Sequence, residues 1–325
     1  MNHNMNHSVL ITGGCGFIGS QLATDLHEQG YDINILDNLH RGEVDNLGDL
    51  PESDRVELFR GDVRDREVVA AAMDGVDYVV HLAATCLNRS TVYPTEGLEV
   101  NLLGTNTVFS VAAEKDINKV LYASSASVYG DQSIPMTETD QVSPQTPYGI
   151  SKYSAELLAD FYTEQHEIPF IGYRFFNVYG AGQDTDAYYT SVINVFVKRL
   201  VRGEPPIIHG SGDQTMDFIN VRDISRSLQL GIEMDVQNEV FNVGSGEMTS
   251  IADLAEILID IVGVDVEPQY KDRDVLVSKR QASTEKAAEL LGFSAKVPVR
   301  EGLEEVVEHV ISEMEDSHDT QTQYV

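Results

Sequence analysis

A glycine-rich loop close to the start of the chain limits the possible folds more than any other feature. The apolar, β-branched segment 8–12 predicts a buried strand, and it runs into GGCGFIG at positions 13–19, which an apolar helical pattern follows. The loop contains the spacing G-x-G-x-x-G between a strand and a helix, where glycine permits a tight turn and a close approach of a pyrophosphate. Free N–H groups at the start of the helix favour the same anion. The sequence therefore predicts a dinucleotide-binding loop, with cofactor contacts at Gly13, Gly16, Phe17, Ile18 and Gly19.

The end of the next predicted strand indicates which dinucleotide binds. The strand at 33–36 ends in Asp37, at about the 20-residue distance at which a carboxylate binds the adenosine ribose hydroxyls. A carboxylate there repels a 2′-phosphate, so the sequence favours NAD over NADP. Arg41 is close enough in sequence to weaken this preference, unless it is a solvated loop charge, and both interpretations remain open.

Strand and helix patterns alternate along the first half of the chain. Strands are predicted at 56–59, 78–82, 120–123 and 170–173, and helices at 66–73, 95–114 and 148–164. After Asn177 the pattern changes to helices at 191–202, 251–262, 284–291 and 301–315, with strands at 218–221 and 240–243. The alternation predicts an α/β fold, a Rossmann-type doubly wound parallel sheet with a smaller C-terminal α/β domain.

A tyrosine and a lysine one turn apart on a predicted helix are candidate catalytic groups. Tyr148 and Lys152 belong to the segment YGISK and share one helix face. A free tyrosine has a pKa near 10, but a nearby ammonium and a positively charged nicotinamide ring favour phenolate and lower that pKa. The phenol would then serve as a general base near neutral pH. A surface helix pair is the alternative interpretation of this spacing.

A serine-rich strand end supplies a hydroxyl group for the same site. The predicted strand at 120–123 runs into SSASVYG at 124–130, and ligands bind at the carboxyl ends of parallel strands. Ser125 is a candidate to hydrogen-bond the substrate oxygen that Tyr148 deprotonates. The sequence alone does not rank the serines, because serine-rich strand ends are also ordinary turn chemistry.

Composition limits the partners and the compartment. The chain has 53 acidic and 22 basic residues, a net charge of −31, which is the opposite sign to that of a nucleic-acid-binding protein. Such self-repulsion is used by halophiles, so we expect a salt-adapted protein, with an ordinary acidic protein as the alternative.

Cys15 and Cys86 form neither a disulfide framework nor a metal-ligand pattern. No run of about 18 apolar residues and no signal peptide is present, so we expect a cytoplasmic protein without a metal or a membrane partner.

Together these motifs resemble those of the extended short-chain dehydrogenase/reductase superfamily, and within it the NAD-dependent epimerase/dehydratase family and its UDP-glucose 4-epimerase-like enzymes. The resemblance covers Val9 to about Phe293, nearly the whole chain. It rests on the motifs at 12–19, 37–39, 61–65, 81–84, 101–105, 124–130, 147–152 and 174–180.

The resemblance implies a function and a set of site residues. The implied reaction is the epimerisation of a UDP-linked hexose at C4 through a 4-keto intermediate, carried out with retained NAD in a homodimer. Ser125, Tyr148 and Lys152 would be the catalytic set, the last two also touching NAD, and Ser125 and Asn177 would contact the substrate. Further NAD contacts are implied at Asp37, Asn38, Asp62, Val63, Leu82, Ala83, Ala84 and Asn101. The implied NAD-binding domain comprises 1–176 and 217–246, the substrate domain 177–216 and 247–315, and a disordered tail 316–325.

Two departures from the family pattern bear on the substrate. Met216 stands where the family often has an arginine that binds the substrate diphosphate, which leaves the nucleotide open. Arg273 occupies the position of a second phosphate-binding arginine, with a surface charge as the alternative. Hexose dehydratases and uronate decarboxylases carry acidic residues directly after the catalytic hydroxyl, whereas this chain has Ala126 and Ser127, which fits simple epimerisation.

Two other functions remain possible at this point. A 4-keto-sugar reductase would share the fold, but it commonly uses NADPH, which Asp37 disfavours. A non-catalytic dinucleotide sensor would also share the fold, since fold does not fix function, but it has no use for Ser125, Tyr148 and Lys152. The sequence does not determine which sugar is bound.

Overall fold

The computed structural model describes residues 7–115, 117–183, 191–272 and 279–322, with side chains described as far as Glu315. The strands are β1 (Ser8–Thr12), β2 (Asp32–Asp37), β3 (Val56–Arg60), β4 (Tyr78–His81), β5 (Lys119–Ser125), β6 (Phe170–Phe175), β7 (Asn177–Tyr179), β8 (Ile207–His209), β9 (Thr215–Met216), β10 (Phe218–Asn220), β11 (Glu239–Val243), β12 (Thr249–Ser250) and β13 (Gln269–Lys271). The α-helices are α1 (Phe17–Glu28), α2 (Arg66–Ala72), α3 (Leu87–Val92), α4 (Pro94–Leu98), α5 (Thr105–Ala112), α6 (Pro147–His166), α7 (Val192–Val201), α8 (Val221–Glu233), α9 (Ile251–Val262), α10 (Glu285–Leu291) and α11 (Val299–Thr322).

A parallel sheet of seven strands forms the centre of the molecule. Its strand order is β11-β6-β5-β4-β1-β2-β3, and all neighbouring strands are parallel. The order reverses between β1 and β4, which is the doubly wound arrangement, so the predicted fold class is confirmed. In such sheets ligands bind beyond the carboxyl ends of the strands at the reversal.

The strands carry apolar side chains on both faces, and helices cover both faces of the sheet. Successive side chains of a strand point to opposite sides, so Val9 and Ile11 of β1 pack into one apolar cluster with Leu22 of α1. Leu10, between them, packs into the other cluster with Phe109 of α5. Full burial of each such side chain contributes roughly 1.5–3 kcal/mol. The near-continuous apolar runs of the sequence are therefore those of a buried parallel sheet.

The chain after β6 builds a second, smaller packing unit. Helices α7, α9 and α11 share a third apolar cluster, to which Phe196, Leu254 and Leu303 contribute. Short strand pairs border it: β7 with β10, β8 with β13, and β9 with β12. The chain returns to the central sheet at β11, which pairs with β6. The domain boundaries given above remain a prediction.

The helix predicted over 95–114 is interrupted. Helix α4 is followed by a π-helical segment, Glu99–Gly104, before α5 begins. Cβ atoms added at Gly97 and Gly104 would each lie 2.7 Å from a neighbouring side chain, so this segment packs closely on its surroundings. Apolar periodicity cannot reveal such a change of pitch, and π-helical turns are frequent at functional sites.

Further helices differ from the prediction, among them α3, which was not predicted, and α8 and α11. Helix α8 was not predicted; it begins at Val221, where a strand was expected, because the Asn220 side chain caps it by accepting a hydrogen bond from Arg222 N at 2.9 Å. Helix α11 continues to Thr322 and so enters the segment 316–325 that was predicted to be disordered. Once a helix is nucleated, each added residue gains a hydrogen bond, so the helix extends beyond its packed part.

Within the described ranges, no helix is long and apolar enough to cross a membrane. The same ranges contain no group of three or more His, Cys, Asp and Glu side chains arranged to hold a metal ion.

Candidate active site

A cleft of about 950 Å³ opens at the carboxyl edge of the central sheet, where the strand order reverses. The loops that follow β1, β2, β4 and β5 border it, together with α6. This volume is typical of a site for a small molecule or cofactor. The structure brings most of the predicted site residues to this cleft: Gly13, Gly16, Phe17, Ile18, Gly19, Asp37, Asn38, Val63, Leu82, Ala83, Ala84, Ser125, Tyr148 and Lys152.

The glycine-rich loop has no room for side chains. Gly13 has a φ of +71°, and a Cβ there would lie 2.8 Å from the backbone of Ala83, at the end of β4. Gly16 is the N-cap of α1 and provides no side-chain cap, so the first N–H groups of the helix lie uncapped beside the cleft. A positive helix end without obstructing side chains fits the pyrophosphate of a dinucleotide.

Asp37 fixes the end of β2 against this loop. Its Oδ2 accepts a hydrogen bond from Cys15 N at 3.0 Å, and its Oδ1 accepts one from Leu39 N at 2.8 Å. Asn46, which also borders the cleft, donates from Nδ2 to the carbonyl of Cys15 at 2.9 Å. The sequence analysis did not identify Asn46, because the loop that carries it has no regular pattern. Asp37 therefore shapes the loop as well as bordering the cleft.

Asp62 organises its neighbours and is not among the described residues that border the cleft. Arg64 donates to it from Nε at 2.8 Å and from Nη2 at 2.9 Å, and Asn38 donates from Nδ2 at 3.1 Å. The hydrogen bond from Arg64 is the main reason that the pKa of Asp62 falls to about 2. Asn38, Val63 and Arg64 do border the cleft, so Asp62 acts on it through the residues that it holds.

Asn101 likewise supports the cleft from behind. It is buried in the π-helical segment, accepts a hydrogen bond at Oδ1 from Thr85 N at 2.7 Å and donates from Nδ2 to Thr85 O at 2.9 Å. Thr85 and the three residues before it border the cleft. Asn101 therefore fixes the loop after β4, and it is not itself among the described residues of the cleft wall.

The predicted catalytic groups converge at the cleft. Ser125 lies at the end of β5, and Tyr148 and Lys152 lie on the first turns of α6. Ser125 is hydrogen-bonded to the phenol of Tyr148. Lys152 donates from Nζ to the carbonyl of Ala123 at 2.8 Å and lies 5.6 Å from the centre of the Tyr148 ring. The start of α6 is set by Thr146, whose side chain caps the helix.

The charged forms of both helix residues are disfavoured by burial. Burial raises the pKa of Tyr148 to about 12, against the opposing effect of the hydrogen bond from Ser125. Burial also lowers the pKa of Lys152 to about 8. The expected lowering of the Tyr148 pKa is therefore not found in the protein alone, because desolvation outweighs the ammonium, which is directed at Ala123. A phenolate at this place requires additional positive charge beside it.

A buried polar network behind the site was not predicted from the sequence. Arg174 of β6 binds Glu156 of α6 through Nε at 2.9 Å and Nη2 at 2.7 Å, and both side chains are 6% exposed. Ser124, next to Ser125, donates to Glu156 Oε1 at 2.5 Å. Arg174 also donates to the phenol of Tyr129 at 2.8 Å. The network ties β5, β6 and α6 together directly beneath the catalytic groups; the only signal in the sequence was Glu156, one helical turn after Lys152.

The structure describes only part of the set that the family pattern connects with the substrate diphosphate. Asn177 donates from Nδ2 to the carbonyl of Asp217 at 3.0 Å and is not among the described residues of the cleft wall. Met216 lies on β9, paired with Thr249 of β12. Arg273 lies outside the described residues.

Basic side chains from the smaller unit complete the described cleft wall. Lys198 and Arg202, at the end of α7, and His309 of α11 border the same cleft as the glycine-rich loop. The first two are one helical turn apart, in a chain with only 22 basic residues. That clustering was the available signal, but their position relative to the loop depends on tertiary packing.

The chain is similar to known nucleotide-sugar epimerases. Residues 9–244 match the profile of the NAD dependent epimerase/dehydratase family. A putative UDP-glucose 4-epimerase of Methanocaldococcus jannaschii is 34% identical over 92% of this chain and 97% of its own. The structure of a UDP-glucose 4-epimerase from Thermotoga maritima, with UDP-glucose, superposes with a TM-score of 0.88 and 33% identity, covering 94% and 99% of the two chains. A UDP-N-acetylglucosamine 4-epimerase from Methanobrevibacter ruminantium, in complex with UDP-N-acetylmuramic acid, gives 0.91 and 31%, covering 95% and 99%.

The fold and the cleft define an NAD-dependent enzyme built on a doubly wound sheet. The chain belongs to the NAD-dependent epimerase/dehydratase family, and NAD is its cofactor. The glycine-rich loop, the uncapped start of α1 and Asp37 are the residues of this structure that fit it.

We expect Gly13→Ala to release NAD, because a methyl group 2.8 Å from the Ala83 backbone forces the loop away from its position. Gly75→Ala is the matched control: its φ of +72° is nearly the same, but a Cβ there has nothing within 4 Å. Both variants carry a backbone strain of about 1 kcal/mol, and only Gly13→Ala should lose bound NAD, measured after denaturing the purified protein. Equal NAD content in the two variants would contradict this role of the loop.

Proposed function

We propose that this protein is a UDP-hexose 4-epimerase. The observation that carries the proposal is the convergence of Ser125, Tyr148 and Lys152 at the cleft that also contains the glycine-rich loop. A base, a hydroxyl and a cation beside a dinucleotide loop suit the reversible oxidation of an alcohol. The similarity to enzymes named as 4-epimerases of UDP-glucose and UDP-N-acetylglucosamine supports the same reaction.

Tyr148 is the proposed proton acceptor for the C4 hydroxyl of the sugar, and Ser125 hydrogen-bonds the same oxygen. NAD, which the glycine-rich loop and Asp37 would hold, would supply the redox chemistry by accepting and returning a hydride at C4, and its positive ring would favour the Tyr148 phenolate. Lys152 stabilises that phenolate once it forms, because two buried opposite charges offset the desolvation cost that each bears alone. The proton then returns from Tyr148 to the sugar oxygen, so no net redox change occurs.

The residues after Ser125 favour epimerisation over dehydration. Ala126 and Ser127 are buried, and the N–H of Ser127 donates to Ser125 Oγ at 3.1 Å. Elimination of water from a 4-keto sugar needs groups that move protons at neighbouring carbons. Neither side chain carries a carboxylate for this purpose, which supports a reaction confined to C4. Within this reaction, the pocket decides among glucose, N-acetylglucosamine and uronic acid forms.

We expect the purified protein, in molar KCl and without added cofactor, to interconvert the two C4 epimers of a UDP-sugar. The pairs to be tested are UDP-glucose and UDP-galactose, their N-acetyl forms and their uronic acids, and the products are read by proton NMR. Tyr148→Phe should lower kcat by roughly 10²–10⁴-fold, because the proton transfer is lost, while NAD stays bound. Tyr162→Phe is the control on the same helix: its hydroxyl donates only to Asn106 at 3.1 Å, so activity should persist. Absence of a C4 epimer with every UDP-sugar would rule out the proposed reaction.

We also propose that the protein is a homodimer that pairs through α6. Ile150, Leu157 and Phe161 lie on one side of this helix and are 47%, 52% and 52% exposed. Leu103 of the adjoining π-helical segment is 57% exposed. Such a cluster of exposed apolar side chains marks a protein contact, and a second copy would cover it with the same helix.

The double substitution Leu157→Glu with Phe161→Glu should convert a dimer into a monomer of 35.9 kDa, measured by light scattering, because four carboxylates would meet at the two-fold axis. The control pair Met234→Glu with Tyr270→Glu removes equally exposed apolar side chains elsewhere and should leave the dimer intact. A monomeric wild-type protein would refute this assembly.

We also propose that the enzyme is cytoplasmic and salt-adapted, and the charge balance supports the salt adaptation. With 53 acidic and 22 basic residues, repulsion within the folded chain is strong at low salt and is screened at high salt. We expect the melting temperature to rise as KCl increases from about 0.2 to about 3 M, where the Debye length falls below about 3 Å. A melting temperature that fell over this range would contradict salt adaptation.

A further inference from the structure

A second cation that is desolvated by burial, Arg280, has no role in the mechanism above. Its backbone N–H donates to Thr215 O at 3.0 Å, and Lys279 forms a β-bridge with Thr215. The segment 279–282 therefore runs beside β9, on the substrate side of the molecule. Its partial burial, and the absence of a partner for its side chain among the described residues, together favour a ligand.

The end of this segment locates it relative to the cleft. Ala282 is buried in a small apolar cluster with Ala126, which follows Ser125, and with Phe176, which borders the cleft. In an extended segment, side chains two residues apart point to the same side, so Arg280 extends from the same side as Ala282. This alternation places the Arg280 side chain on the side of the segment that packs against Ala126 and Phe176, although Arg280 is not itself among the described residues that border the cleft.

No carboxylate of the described residues pairs with the Arg280 guanidinium, although the chain has a net charge of −31. Burial lowers its pKa, and no carboxylate opposes that effect. Across the described part of the chain, its side chain makes no ion pair, hydrogen bond or contact with an aromatic ring. Arg174, in contrast, is matched by Glu156 on two bonds. An unpaired, desolvated cation costs folding free energy, and proteins keep such groups where a ligand provides the missing charge.

The buried acid that holds the end of this segment is already fully used. Asp217, one residue after β9, accepts hydrogen bonds from Ser245 N and Oγ at 2.7 Å each, and from Gly246 N and Ala282 N at 3.0 Å each. The bond from Ala282 fixes the end of the segment that carries Arg280, and none of the four bonds involves the guanidinium. Asp217 therefore anchors the segment without pairing with Arg280.

We propose that Arg280 binds an anionic group of the nucleotide-sugar substrate, either the diphosphate or the carboxylate of a uronic acid. Both are planar or tetrahedral oxyanions that a guanidinium binds through paired hydrogen bonds. The proposal deepens the proposed function and rests on it. It makes Arg280 a determinant of substrate affinity and leaves the proton transfer to Tyr148.

Calorimetric titrations with uridine, UDP, UDP-glucose and UDP-glucuronate should compare wild type, Arg280→Met, Arg280→Lys and the control Arg66→Met. Arg66 is an exposed cation on α2 paired with Glu114, so its loss changes the net charge equally. Arg280→Met should weaken at least one anionic ligand tenfold or more, with uridine unchanged, and Arg280→Lys should recover part of the affinity. Weaker binding of UDP itself assigns the diphosphate, whereas a loss confined to UDP-glucuronate assigns the carboxylate.

The melting temperature separates a ligand-binding role from a structural one. Arg280→Met should melt at or above the wild-type temperature, because the variant removes an unpaired desolvated charge. A lower melting temperature than that of Arg66→Met, or affinities within twofold of wild type for all ligands, would overturn the inference alone. Wild-type protein that retained NAD and bound none of the UDP ligands would overturn the proposed function and this inference together.

Discussion

The reversal of strand order between β1 and β4 is the constraint on which the rest of the structure depends. Parallel strands place all their carboxyl ends at one edge of the sheet, and crossovers to opposite faces leave a crevice where the order reverses. The glycine-rich loop follows β1 at this crevice, and Ser125 ends β5 two strands away. Helix α6, which crosses from β5 to β6, brings Tyr148 and Lys152 to the same edge. The glycine-rich loop and the tyrosine–lysine pair, which are far apart in sequence, thus share one cleft.

Buried polar groups fix the loops and the helix that border this cleft. Asp37 fixes the glycine-rich loop, Asn101 fixes the loop after β4, and Glu156 joins α6 to the end of β5. Each has its hydrogen-bonding capacity used by backbone or charged partners, because an unsatisfied buried polar group costs about 1–3 kcal/mol. The described cleft wall itself combines glycine and small apolar side chains with polar and charged ones, among them Lys152, Lys198 and Arg202. The site is therefore preorganised for its cofactor before the cofactor binds.

Electrostatics divide the buried cations into two kinds. Arg174 is matched by Glu156 and serves the architecture. The ammonium of Lys152 is desolvated without a carboxylate, and its pKa falls to about 8. The phenol of Tyr148 shows the converse, since burial raises its pKa to about 12. The charged forms of Tyr148 and Lys152 are each disfavoured alone, but a phenolate and an ammonium side by side stabilise each other. A reversible proton transfer between substrate and protein needs this property.

Much of the fold could be predicted because its signals are local. The run of glycines between a strand and a helix and the spacing of Tyr148 and Lys152 are short-range features, and helix and strand geometry convert them directly into positions. The alternation of strands and helices gave the doubly wound sheet for the same reason. The helix over 95–114 could not be predicted correctly, because it contains a π-helical turn. Gly97 and Gly104 pack closely on neighbouring segments here, and the apolar periodicity of the sequence does not report such contacts.

The sequence by itself thus determined the α/β class, the dinucleotide loop and the pairing of tyrosine with lysine. The tertiary structure alone decided that Asp62 and Asn101 act from behind the cleft, and that Glu156 and Arg174 support it. It also decided the direction of the Tyr148 pKa, which desolvation raises although the spacing to Lys152 suggested the opposite. The physical reason is the separation along the chain. The hydrogen-bond partners of these residues, and the segments that exclude solvent from them, are distant in sequence, so no local pattern encodes their positions.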